Sequence, residues 1–247
     1  MKAIQRIWCV ALLLPLLLWA AAETWTGRSW TYFSFRSLAL QGTGIVAMAA
    51  MSVCLLLASR PRWLERPLHG LDKMYRLHKW LGILALVASV AHWWLAQGSK
   101  WMVGWGWLVR PARGPRSLEG LAPLEAWLRQ QRGWAESVGE WAFYLAALLL
   151  VLALIKRFPY HLFAKTHTLL AGAYLVLVAH ALVLTQYAYW SQPVGWLLLA
   201  LLLIGSHAAL QALFGRIGAG RKVGAEVLCA QHYPALQVTE VELRLQP

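Results

Sequence analysis

Four histidines stand where histidine is costly. His78 and His92 lie fourteen residues apart in one apolar stretch, and His167 and His180 lie thirteen apart in another. An ionisable side chain at membrane depth usually faces the interior of a bundle and has a partner. At 1.5 Å per residue each pair spans ~20 Å along a helix, so the rings occupy two levels, one near each edge of a bilayer. Two neutral imidazoles facing each other can fill both axial positions of a haem iron, leaving no open site and making electron transfer its natural task. The expected pairs are His78 with His167 and His92 with His180. Ligands ~20 Å apart along one helix cannot share a single zinc ion. Each histidine taken alone reads more readily as a hydrogen-bonded core or interfacial residue; two pairs at matching depth reverse that and favour ligation.

The spacing carries a misfit. At 100° per residue a fourteen-residue step returns to within ~40° of the same face, whereas a thirteen-residue step misses by ~140°. Either the helix of His167 and His180 is distorted, with Gly172 permitting a bend or close approach, or the two haems meet that helix from different sides. Spacing alone leaves both open. Arg76 and Lys79 flank His78 and Lys165 precedes His167, which puts cations where inner propionates would emerge; anchoring at the membrane surface is an equal alternative. Arg36 would serve the outer haem in the same way. Tyr174 lies between the histidine levels, where packing is the simpler role and a place between the macrocycles the alternative. His69, His161, His207 and His232 form no such pairs and read as structural.

The elements that position these residues follow from composition. Of 247 residues, 60% are apolar and 13% charged, against roughly half and a quarter in a soluble domain. Apolar runs near the ~20 residues needed to cross a bilayer fall at about 5–22, 40–58, 75–97, 138–156, 164–186 and 193–214. The expected fold is an all-α membrane protein, a bundle of six transmembrane helices with a short β-like C-terminal tail. The net charge of +13 sits in the connections and forms no basic patch suited to nucleic acid. Cys9, Cys54 and Cys229 make neither CxxC nor CxxCH, so any haem must be held by coordination and packing.

Arg60, Arg62, Arg66, Lys73 and Arg76 lie on one side of the spans, with Lys156, Arg157 and Lys165 in the next connection on that side. With Arg216, Arg221 and Lys222 after the last span and Lys2 and Arg6 before the first, the positive-inside rule predicts cytoplasmic termini, as in a bacterial inner-membrane protein. The loop 98–137 opposes this bias with Lys100, Arg110, Arg113, Arg116, Arg129 and Arg132, although a long loop weighs less. Its tryptophans and the helical spacing of 121–132 suggest an interfacial helix. The first span also reads as a signal peptide ending at Ala20-Ala21-Ala22; its removal would not touch the histidine helices.

The segment LASRPRWLERPLHGLDKMYRLHKWLGILALVASVAHW, residues 57–93, together with YHLFAKTHTLLAGAYLVLVAH, residues 160–180, resembles the ferric reductase-like transmembrane family, which includes NADPH oxidases and bacterial flavocytochromes. The resemblance extends over about 1–245. It implies two stacked b haems ligated by His78, His92, His167 and His180, and electron transfer from a cytoplasmic reduced flavin to an outer acceptor such as a ferric chelate, oxygen or a periplasmic protein. Residues 1–218 would form the haem domain. Residues 219–247 look like the first strands of a FAD-binding barrel, an incomplete one, and the chain has no glycine-rich dinucleotide motif. FAD and the NAD(P)H-oxidising module would therefore come from a partner or a continuation of the chain. Two rivals are a haem subunit serving a separate periplasmic reductase, such as one for methionine sulfoxide, and a haem-free proton-coupled transporter.

Overall fold

The structure, a computed structural model, describes residues 2–23, 29–68, 70–109, 120–155, 157, 159–219 and 223–245. His69, Arg110, Arg113, Arg116, Lys156, Arg221 and Lys222 lie outside the described residues. The chain divides into two compact units, 1–215 and 216–247.

The first unit is helical: α1 (Lys2–Ala22), α2 (Tyr32–Ala58), the short α3 (Arg62–Leu68), α4 (Leu71–Gly104), α5 (Pro123–Gln130), α6 (Arg132–Leu154), α7 (Tyr160–Leu184) and α8 (Pro193–Leu213). Among the described residues six of these, α1, α2, α4, α6, α7 and α8, are long and apolar enough to cross a membrane. Their outward faces expose Leu17, Val87, Leu148, Leu203 and similar side chains. Water would penalise such a surface, whereas lipid does not.

Small residues decide the packing, because closely approaching helices supply the contacts that lipid cannot. α2 buries Gly42, Ala47, Ala49, Ala50 and Ser52 and packs on α1, α4 and α8. Its N-terminus is closed by a capping box in which the Thr31 N–H donates to Ser34 Oγ at 2.9 Å and the Ser34 N–H to Thr31 Oγ1 at 3.2 Å, satisfying donors that the helix leaves orphaned. The helix therefore starts well before the expected residue 40. α4 is likewise longer than expected, 34 residues or ~51 Å, and Ser99 and Lys100, anticipated as loop, belong to its last turns. The expected interfacial segment forms α5, with no buried residue.

Where α1 ends, the Tyr189 hydroxyl donates to the Glu23 carboxylate, both side chains being buried. Tyr189 lies in a 3-10 turn, Tyr187–Ser191, between α7 and α8.

Tyr174 settles into packing. It is buried between α2 and α8, its hydroxyl 2.8 Å from Ser52 Oγ, over Gly205, where any Cβ would run into the phenol. Tyr174→Phe removes one interhelical hydrogen bond and should lower unfolding stability by about 0.6–1.7 kcal/mol, measurable by denaturant titration in detergent. An equal loss in Tyr174→Phe/Ser52→Ala would show that the two hydroxyls act as one bond.

The second unit is a hairpin of β1 (Ala225–Tyr233) and β2 (Val238–Leu245), antiparallel with an irregularity between Val227 and Cys229. Its register pairs Ala225 with Leu245, Val227 with Leu243 and Ala230 with Val241 on one face. That face is apolar and exposed, while Glu226, Arg244, Glu242 and Glu240 occupy the other. Two strands alone are marginally stable.

Candidate functional site

α4 rises against α2, and α7 against α6 and α8; α4 and α7 meet through histidine rings. The His78 and His167 ring centres are 5.9 Å apart, and those of His92 and His180 are 6.2 Å apart, with ring planes crossed at 60° and 78°. The four residues singled out by spacing are thus brought together in the expected pairs, at two levels.

Backbone carbonyls orient three of the four rings. His78 Nδ1 lies 2.9 Å from Cys54 O, His92 Nδ1 3.0 Å from Leu40 O and 3.2 Å from Thr43 Oγ1, and His180 Nδ1 2.8 Å from Ala135 O. A carbonyl oxygen can only accept, so Nδ1 donates in each case and Nε2 keeps its lone pair. This is the arrangement that orients metal-bound histidines and raises their basicity. The register behind it is simple: Leu40 and Cys54 stand fourteen residues apart on α2, as do their partners His92 and His78 on antiparallel α4. One packing of two helices anchors a ring at each level.

Close approach at the His92 level depends on glycine. A Cβ at Gly44 would stand 3.3 Å from His92 Cε1, and one at Gly139 on α6 would fall within the His180 ring. Gly172, considered above as a bend or contact point, has no atom within 4 Å of where its Cβ would be, and α7 is one helix from Tyr160 to Leu184. The misfit in spacing is resolved by direction: His180 lies over α6, whereas His167 stacks on Phe163 of its own helix at 4.8 Å and 24°.

His92 and His180 both line a cavity of about 860 Å³, within the ~300–1,000 Å³ usual for ligand sites. Arg36, Lys100, Arg132 and Glu140 also reach its wall. Arg36 is held by α4 through Nε to Leu95 O at 2.8 Å and Nη2 to Ala96 O at 3.3 Å. Glu140 accepts from Gln97 Nε2 and from the Tyr144 hydroxyl, each at 2.6 Å. Lys100, Arg132 and Glu140 were not selected from sequence as site residues, because their spans were read as loop or helix border. Arg76 and Lys79 are exposed beside His78 and line no part of this cavity.

The ring separations test whether haem suits these residues. A metal–imidazole bond of about 2 Å, with about 1.1 Å from ring nitrogen to ring centre, sets two rings on one metal about 6.2 Å apart. Both pairs stand at that spacing, and in three of the four rings the anchored Nδ1 leaves the Nε2 lone pair free to coordinate, so the residues fit a bis-histidine group at each level. Among the described residues no three His, Cys, Asp or Glu side chains gather as a free-ion site would need. His207 is exposed and bonded to Gln211, His232 bonds Thr239 in the hairpin, and His161 is exposed; none joins the site.

The family profile for the ferric reductase like transmembrane component matches residues 43–178, a narrower span than 1–245, running from α2 into α7. It contains His78, His92 and His167 and stops just before His180. Among curated proteins none matches the chain. With more than half of its length matched and its six membrane-length helices in place, the chain is an integral, multi-pass membrane protein that belongs to the ferric reductase like transmembrane component family.

Proposed function

We propose that the chain carries electrons across the bilayer through two b-type haems, one held by His78 and His167 and the other by His92 and His180. The observation that carries this reading is the pairing of four membrane-depth histidines at two levels with ring centres 5.9 and 6.2 Å apart. Membership in an oxidoreductase family of the membrane supports electron transfer as the general activity. When bound, a bis-histidine haem supplies a one-electron carrier with both axial positions filled. The protein's part is positional. Carbonyls of Cys54, Leu40 and Ala135 hold the Nε2 atoms of three rings forward. Arg36, fixed on α4, keeps a cation at the wall of the His92/His180 cavity, suited to a propionate. Arg76 and Lys79 supply cations beside His78.

The excess of basic residues in the α2–α4 connection and beside both termini supports cytoplasmic termini, which makes His78/His167 the inner level and His92/His180 the outer. Electrons then enter from reduced flavin on the cytoplasmic side and leave to a ferric chelate, oxygen or a periplasmic protein. The hairpin of β1 and β2, apolar on one face, suits the opening strands of a FAD-binding barrel completed by a partner or by further chain. Haem-loaded protein in vesicles that trap ferricyanide tests the reading: reduced flavin mononucleotide added outside should bleach the trapped oxidant. Bleaching no faster than in protein-free vesicles would refute it.

A further inference from the structure

The four histidines are not held alike. Three give their Nδ1 proton to a backbone carbonyl, two of them at the His92/His180 level. His167 Nδ1 is buried and, among the described residues, has no hydrogen-bond partner. On α7 the Phe163 ring stacks on it at 24°, offering a face and no acceptor in the plane of the imidazole. The surrounding turns are thinly covered: Tyr160, His161, Leu162, Ala164 and Lys165 are exposed, and the buried residues of α7 begin only at Ala171. An anchoring partner fixes ring orientation and raises ligand basicity, and its loss typically weakens metal binding 10–100-fold.

We propose that His167 is an exchangeable axial ligand, so that the reduced His78/His167 centre takes up a small neutral molecule such as carbon monoxide while the His92/His180 centre does not. This rests on the haem reading above. In the exchange the iron–Nε2 bond to His167 breaks as an iron–carbon bond forms, with no electron gained or lost, and the released imidazole stays neutral. His78, anchored to Cys54, remains the fixed ligand. An uncharged diatomic enters the apolar edge of the helix bundle at little cost, whereas an anion does not.

The experiment is carbon monoxide titration of the dithionite-reduced, detergent-purified chain, followed by its visible spectrum. About half of the haem absorbance should shift, and the shift should persist in His92→Ala/His180→Ala, which lacks both ligands of the other centre. In the otherwise intact chain, Phe163→Gln brings an amide oxygen to the turn before His167 and should weaken carbon monoxide binding about 10–100-fold. No shift in the parent chain overturns the proposal. So does its disappearance from a folded His92→Ala/His180→Ala variant that retains one haem, or an unchanged affinity in Phe163→Gln. A preparation without haem bands before gas is added refutes the haem reading itself, a distinct failure.

Discussion

Changing His180 to alanine is expected to halve the haem content, from about two per chain to about one, and to reduce transmembrane electron flow to the protein-free level. Among the described residues the ring pairs with one other imidazole at its level, His92, at 6.2 Å. Loss of an outer-shell partner alone typically costs 10–100-fold in metal affinity, and loss of a ligand costs more. The other level lies ~20 Å away along the helices and keeps both its rings. His92→Ala should give the same result, and the two changes together should add little. Because a bound cofactor stabilises the native state by mass action, the thermal midpoint should fall in parallel. His207→Ala is the matching control: that ring is exposed and bonded to Gln211, so two haems should remain. Pyridine haemochrome analysis against protein concentration decides it; an undiminished haem content in His180→Ala would remove that residue from the site.

Gly139→Ala should have an effect of similar size through one methyl group. The added Cβ would lie within the His180 ring, and the ring cannot slide along α6 without surrendering its bond to Ala135 O. Overpacking of a tight contact costs about 1–3 kcal/mol, and here the group pushed aside is the candidate ligand. The expected result is loss of the His92/His180 haem with retention of the other. Gly172→Ala on α7 is the comparison, since nothing lies within 4 Å of the new methyl, and alanine in a helix interior is favoured over glycine by about 0.8–1 kcal/mol. Matching haem contents in the two variants would mean that the Gly139 contact does not hold His180.

These two residues mark the boundary of what could be read from the chain. His180 was legible because histidine in an apolar helix is chemically conspicuous and its distance from His167 could be compared with that of His78 from His92. Gly139 was not, being one of nineteen glycines whose role exists only where another helix crosses it. The anchors of the rings were hidden for a related reason: Leu40, Cys54 and Ala135 act through carbonyl oxygens, which every residue possesses. The six spans followed from apolar length, yet their ends did not. Ser99 and Lys100 have the polarity of a loop, but they continue α4 past Gln97, which bonds Glu140, and Lys100 reaches the cavity wall. Tyr32 to Ala39 join α2 because Thr31 and Ser34 cap each other. The thirteen-residue step left two readings open, and the one in which the histidines of α7 leave it in different directions matches the contacts of His180 with α6 and of His167 with Phe163.

The most direct test of the account is the reduced-minus-oxidised visible spectrum of the purified, unmutated chain produced with ample haem, with haem counted per protein. The account predicts sharp low-spin b-type bands at about two haems per chain, as two bis-histidine centres require. Well-folded protein without haem, or with a single high-spin centre, would contradict it.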